Sequence, residues 1–253
     1  MIKLVSSEAK ELVNLLKAYS KIVPNPTVEF RQEGMRIIGL DKNQAALGCI
    51  YFSNEHLEEF GRYEVEKEVV FDLDLGFIQD IPVYSKDIME LEVVEEDLQV
   101  LLKISGRSKR VYTQKITIFD NLSREDLVNP PNIEYKSFAV VDYALFADSV
   151  KAFKGVSKTV EIAIEDGKVV FVGKGEKDML NVEIEASDGD GRAVAAFDLR
   201  YLLKMLRVFE AYDVREIQVQ LNTDYPLKLR GPFKRGRGYI EFYLAPLDPR
   251  RNV

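Results

Sequence analysis

The chain has 253 residues, with 35 Lys plus Arg, 42 Asp plus Glu, one His, one Cys and no Trp. An apolar fraction of 46% and a charged fraction of 30% exclude disorder and suit one large domain or two of ~100–150 residues. No apolar run reaches the ~20 residues of a membrane-spanning helix, and Cys49 alone forms neither an internal disulfide nor a Cys-rich zinc site. With His56 the sole histidine, a Ser-His-Asp triad or a multi-His metal site is hard to build. The net charge of −7 disfavours phosphate binding on average, but an acidic shell can carry a basic stripe.

In chain order, Leu12, Leu15, Leu16 and Tyr19 fall on one face of a predicted helix. A strand pair follows about a Gly turn: Val28-Glu29-Phe30, Gly34, then Met35-Arg36-Ile37-Ile38. Phe71-Asp72-Leu73 opens a second short helix with Asp72 as its N-cap. Strands over 88–94 and 98–104 come next, with a turn at Glu95-Glu96-Asp97 between them. Phe119 to Tyr135, holding Pro130-Pro131, reads as an extended connector, because the prolines remove donors.

The order then returns. Lys151, Ala152 and Phe153 stand 134 residues after Lys17, Ala18 and Tyr19, in a helix that also carries Phe146 and Val150. Glu161 to Ile164, Gly167 and Lys168 to Val172 repeat the strand pair; Phe197-Asp198-Leu199 repeats the second helix start. Strands over 216–221 and 227–230 complete the match. The chain is expected to be two copies of one α+β domain, 1–117 and 136–253, joined by a connector at 118–135. Each copy has many period-two strands and two short helices, so antiparallel sheets should carry both helices on one face.

Charge follows the repeat. Lys10, Lys17 and Lys21 attend the first helix, Lys151 and Lys154 its counterpart, and Arg200, Lys204 and Arg207 form one stripe on the last helix. The predicted helix over Asp72, Asp74 and Asp80 has no such cation.

At this point a family resemblance becomes specific. Gly34-Met35-Arg36-Ile37-Ile38-Gly39-Leu40-Asp41 with Ala45-Ala46-Leu47, Phe197 to Leu202, Tyr225-Pro226-Leu227 and the terminal Gly238 to Pro246 resemble the proliferating cell nuclear antigen (PCNA) family. The similarity runs from end to end. It implies a DNA sliding clamp, a processivity factor of replication and repair: a non-enzymatic, cofactor-free ring of three two-domain subunits around duplex DNA. Archaeal origin and a cytoplasmic location follow, without a membrane or a leader segment. The implied partners are a clamp loader and, through PCNA-interacting peptides, DNA polymerase, flap endonuclease, DNA ligase and repair enzymes.

The resemblance also assigns residues. DNA-facing positions fall on Arg110, Lys151, Arg200 and Arg207, and Lys10, Lys17, Lys21, Lys154 and Lys204 join them as cations on the same helices. The partner-peptide pocket falls on Leu40, Gln44, Ala45, Leu47, Leu127, Val128, Tyr225, Pro226, Tyr243, Ala245 and Pro246. The subunit joint pairs a strand near 109–118, with Lys109, Arg110 and Lys115, with one near 177–185 of the next subunit, with Asp178, Glu183 and Glu185. Opposite signs favour that head-to-tail pairing, as homotrimer or as heterotrimer with paralogous subunits.

Other readings stay in view. An obligate subunit of a heteromeric or checkpoint-type clamp would share every motif. A carboxylate-dependent hydrolase built on Asp72 and Asp74 would need them on one side, yet on a helix they point ~200° apart. Asp188-Gly189-Asp190-Gly191 lacks the remaining ligands of a calcium loop and reads as a loop between strands. Gly173-Lys174-Gly175 lacks the phosphate-loop spacing. Lys234-Arg235-Gly236-Arg237 reads as a solvated hairpin tip, His56 as a surface loop residue and Cys49 as a small apolar strand residue.

Overall fold

The computed structural model describes residues 2–119, 127–233 and 236–247. The chain begins with β1 (Ile2–Ser6), α1 (Ala9–Tyr19), β2 (Thr27–Arg31), β3 (Gly34–Leu40), β4 (Ala46–Ser53), α2 (Asn54–Glu59), β5 (Gly61–Val65) and β6 (Val69–Asp72). A 3-10 turn over Leu75–Ile78 precedes β7 (Ile88–Val94), β8 (Gln99–Ser105) and β9 (Lys109–Lys115). Beyond the connector come β10 (Ser137–Asp142), α3 (Tyr143–Ala152), β11 (Thr159–Glu165), β12 (Lys168–Lys174) and β13 (Met179–Glu185). The last elements are β14 (Asp188–Asp190), β15 (Ala193–Asp198), α4 (Leu199–Ala211), β16 (Glu216–Leu221), β17 (Leu227–Pro232) and β18 (Gly238–Leu244).

All strand pairs are antiparallel, as short hairpin loops require. They form a sheet β5-β1-β7-β8-β9, a sheet β13-β12-β11-β15 and a nine-stranded sheet β14-β10-β16-β17-β18-β4-β3-β2-β6. The long sheet has a seam where the last strand meets an early one, from Gly238 opposite Phe52 to Leu244 opposite Ala46. The 165–168 hairpin turns on Asp166 (φ 50°) and Gly167 (φ 76°), the positive φ that the Gly there predicts.

Apolar spacing decides which helix faces are buried. Leu12, Leu15 and Tyr19 of α1 enter the core, as do Leu202, Met205, Leu206 and Phe209 of α4. Helix α1 packs on α4 and on the 3-10 turn, and α3 packs on α4, so these elements make one layer over the sheets. Asp198 caps α4 as expected, accepting from the Arg200 amide at 2.7 Å.

Asp72 does not cap a helix. The amides of Leu73 and Leu75 donate to the carbonyls of Pro26 and Pro24, both at 2.9 Å, which carries the contact with the neighbouring segment past Asp72. Asp72 instead accepts from the Thr27 hydroxyl at 2.7 Å, and Asp74 caps the single 3-10 turn through the Gly76 amide at 2.7 Å. The 3-10 turn thus stands where the other half has α4, and the six-residue α2 is an added helix too short to show a 3.6-residue period in the sequence. Asp188–Asp190, expected as loop, is a short edge strand on β10.

Candidate functional site

The outward side of the helix layer carries the predicted cations. Lys10, Lys21, Lys154, Lys204 and Arg207 are exposed, and among them Lys10, Lys21, Lys154 and Arg207 have no ion-pair partner among the described residues. Lys204 Nζ lies 5.6 Å from the centroid of the Tyr201 ring. The rest are engaged. Lys17 donates to the Ile81 carbonyl at 2.6 Å, Lys151 stands 4.0 Å from Asp148, and Arg200 Nη2 pairs with Asp198 at 2.7 Å. Arg110 departs furthest from its expected roles at the DNA face and the subunit joint. Its side chain is 14% exposed, pairs with Asp87 at 2.6 Å and also donates to the Pro82 carbonyl, so it acts as an internal brace.

A second surface lies on the outer side of the seam. Cross-strand neighbours Leu40, Leu47 and Tyr243 stand side by side on β3, β4 and β18. Ile38, Leu47, Cys49 and Tyr243 form a small buried cluster, and connector residues Val128 and Tyr135 pack on it. Tyr135 donates to the Pro226 carbonyl at 3.0 Å, and Arg36 donates to Asn129 Oδ1 at 3.2 Å, which holds the connector down at two points. Around this floor Leu40 is 43% exposed and Tyr225 55% exposed. Leu127, Ala45, Pro226 and Pro246 are half-buried, while Gln44 and Ala245 are exposed. The segment 120–126, which includes Asp120-Asn121 and Ser123 to Asp126 of the connector, lies outside the described residues, as do Lys234 and Arg235.

The loop between β3 and β4 owes its shape to one carboxylate. Asp41, 6% exposed, accepts from the amides of Asn43 (3.0 Å), Ala45 (2.7 Å) and Ala46 (2.7 Å) and from the Tyr201 hydroxyl (2.5 Å). Tyr201 belongs to α4, so this bond ties the pocket loop to the helix layer of the other half. Burial pushes the Asp41 carboxyl up, but the Tyr201 hydroxyl and three amides outweigh it and hold the group below its ordinary value. Asp41 and Tyr201 stood inside the sequence motifs, yet nothing in their spacing announced the bond.

The strands expected at the subunit joint are both sheet edges. Among the described residues β9 pairs only with β8, and β13 only with β12. Lys109, Val111, Thr113 and Lys115 are exposed on β9; Met179, Asn181, Glu183 and Glu185 are exposed on β13. The acidic edge is partly neutralised from within, since Lys168 binds Glu183 and lies 3.4 Å from Glu185.

His56 is not a loop residue but sits buried in α2. The Tyr212 hydroxyl donates to Glu8 at 2.7 Å and lies 2.7 Å from His56 Nε2, and burial pushes the imidazole pKa down. Cys49 is a buried strand residue, as expected, and burial pushes its thiol up to about 12. Among the described residues no group of three His, Cys, Asp or Glu could hold a metal, and no helix is long and apolar enough to cross a membrane.

No protein-family model matches the chain. It is 25% identical over 260 residues to DNA polymerase sliding clamp 1 of Sulfolobus acidocaldarius, covering 97% of this chain and 99% of that one. The fold is similar to that in the crystal structure of the PCNA2–PCNA3 complex from Sulfolobus tokodaii, with TM-score 0.82, 20% identity, and 96% and 98% of the two chains covered. It is also similar to that of A. fulgidus PCNA solved with the C-terminal region of FEN-1, with TM-score 0.81, 21% identity, and 98% and 99% covered.

Proposed function

We infer that this chain, a member of the PCNA-type family of DNA polymerase sliding clamps, is a ring subunit that encircles duplex DNA and tethers replication and repair enzymes. The observation that carries the reading is the layer of α1, α3 and α4, which with its flanking turns exposes Lys10, Lys21, Lys154, Lys204 and Arg207 in a chain of net charge −7. Cations on a helix surface attract phosphates without reading bases, and contacts of that kind permit sliding. The chain then acts without catalysis or cofactor, in the cytoplasm with the DNA, as two clamp domains joined at 118–135.

The edges support a ring. In the element order β18 corresponds to β9, and β4 to β13, so the seam inside the chain is a template for the joint between chains. Matching the inward residues Ile240, Phe242 and Leu244 to Arg110, Tyr112 and Gln114, and Ile50 to Val182, sets a register. Tyr239 opposite Tyr51 then becomes Lys109 opposite Glu183 of the partner subunit. A second reading, a subunit that works only with paralogues, gains from Lys168, which weakens the charge match at this joint. Solution mass of the purified chain separates the two.

Charge reversal at Lys151, Arg200 and Arg207 together should cut clamp-dependent synthesis on primed circular DNA at least tenfold at low salt, with the deficit narrowing as salt rises. Activity equal to the parent would remove these residues from the mechanism. The outer pocket supports a helix-in-groove partner such as the FEN-1 segment bound by A. fulgidus PCNA. Leu40→Ala with Leu127→Ala should weaken a flap-endonuclease C-terminal peptide by about 2 kcal/mol, roughly thirtyfold, in a protein of unchanged mass. Calorimetric titration gives the answer, and parental affinity would exclude the pocket. Tyr243 is a poorer choice, because it is buried and its hydroxyl holds Glu241 at 2.9 Å.

A further inference from the structure

A basic surface with an aromatic at its centre lies away from the pocket and seam, where the β8–β9 turn meets the loop before β7. Its cavity is lined by Lys10, Tyr84, Lys86 and Arg107, with Asp87 the one acid among the lining residues. Asp87 is 2% exposed and fully occupied: its carboxylate takes the Tyr84 amide at 3.0 Å and Arg110 Nη2 at 2.6 Å. The Arg110–Asp87 pair cancels, which leaves Lys10, Lys86 and Arg107 exposed, with no ion-pair partner among the described residues.

The aromatic is displayed and held. Tyr84 is 56% exposed, and the Arg110 guanidinium lies 5.5 Å from its ring centroid. Its carbonyl accepts from the Asp87 amide at 3.0 Å while its own amide donates to the Asp87 side chain, so the turn is locked reciprocally. Gly106 lets the hairpin close on this turn, since a Cβ there would stand 1.8 Å from Asp87 Oδ1. Arg107 is thereby brought beside Tyr84. The corresponding residue before β16, Tyr212, is instead turned inward among Phe52, His56 and Phe233. A large tyrosine kept in water by a dedicated brace needs a partner that stacks, and three free cations need one that is anionic along its length. Single-stranded nucleic acid meets both demands.

We propose that Lys10, Tyr84, Lys86 and Arg107 form a rim site for single-stranded DNA, with Tyr84 stacking on a base and the cations following the phosphates. The proposal rests on the clamp reading only for the nature of the polymer, and it is tested without loading a ring. Fluorescence anisotropy of a labelled 20-nucleotide oligothymidine is measured on the full chain at low salt, beside an abasic strand of equal length and charge. The parent should bind oligothymidine at least fivefold more tightly than the abasic strand. Tyr84→Ala should abolish that preference, and Lys86→Glu with Arg107→Glu should weaken both strands at least tenfold. An acidic peptide of glutamates serves as the third probe and should compete poorly. Equal binding of the two strands by the parent, or parental affinity in the double reversal, overturns the site. Preference for the acidic peptide also overturns it, in favour of a protein partner. Circular dichroism and mass confirm that each variant is folded. Loss of loading in the Lys151, Arg200, Arg207 variant with this site intact separates the two surfaces.

Discussion

Asp41→Ala should lower the unfolding free energy by about 3 kcal/mol, because three amides and a tyrosine hydroxyl lose a shared buried acceptor. For a chain of this length that is a fall in melting temperature of about 6–12 °C. Asp41→Asn keeps one oxygen and should fall between, and Tyr201→Phe should cost about 1–2 kcal/mol, since it removes the bond donated to Asp41 and the one accepted from the Asn43 side-chain amide. The loss should also reach function: Gln44 and Ala45 sit on the loop that Asp41 shapes, so peptide affinity should drop without any contact residue being changed. The carboxyl is held below its ordinary value in the folded chain, by Tyr201 and the amides against the upward push of burial. Its stabilisation is therefore complete above the unfolded value of about 3.9 and disappears as pH falls through the folded one. Denaturation between about pH 2 and 5 should show a shallower acid limb in Asp41→Asn than in the parent. Superimposable curves would show that the loop is held by other contacts.

Lys109→Glu should dissociate the ring at protein concentrations where the parent stays assembled. The register inferred from the seam puts this residue opposite Glu183 of the partner subunit, and the proposed three-subunit ring would have three such joints. Like charges facing across a strand pair repel, and removal of an exposed attraction adds up to about 1 kcal/mol per joint. A ten- to hundredfold rise in the concentration of half-assembly follows, read by sedimentation at low salt and diminished at high salt. Rescue is specific: Glu183→Lys must be joined by Lys168→Glu, because Lys168 already holds Glu183 within the same chain. The doubly corrected variant should reassemble. Assembly of Lys109→Glu like the parent would remove charge from the joint, and a parent that is monomeric at every concentration would favour the obligate heteromer.

Much of this molecule could be read before it was seen, and the residues explain why. Strands over 88–94 and 216–221 announced themselves through alternation, and Asp198 through its place before an amphipathic run. Asp72 looked the same locally and behaved otherwise: its carboxylate takes the Thr27 hydroxyl, 45 residues upstream, in place of a helix amide. The cations on α1 and α4 were legible as stripes. Arg110 was not legible as a brace, because its partner Asp87 is set across the β7–β8–β9 meander by three-dimensional approach alone. His56 was misplaced for a related reason: a six-residue helix carries no period, and its partner Tyr212 is 156 residues away.

The seam between β18 and β4 has a consequence for how the chain is made. Strand β4 is synthesised long before its second neighbour, since the whole run of elements from α2 to β17 separates it from β18. Until then its edge is an open ladder of amides and carbonyls, flanked by the apolar side chains of Ile50 and Phe52, and it invites pairing with other nascent chains. Contacts this distant also slow the search for the native state, because so long a loop must close before they form. The first half therefore carries a sticky border until β18 is made and covers it.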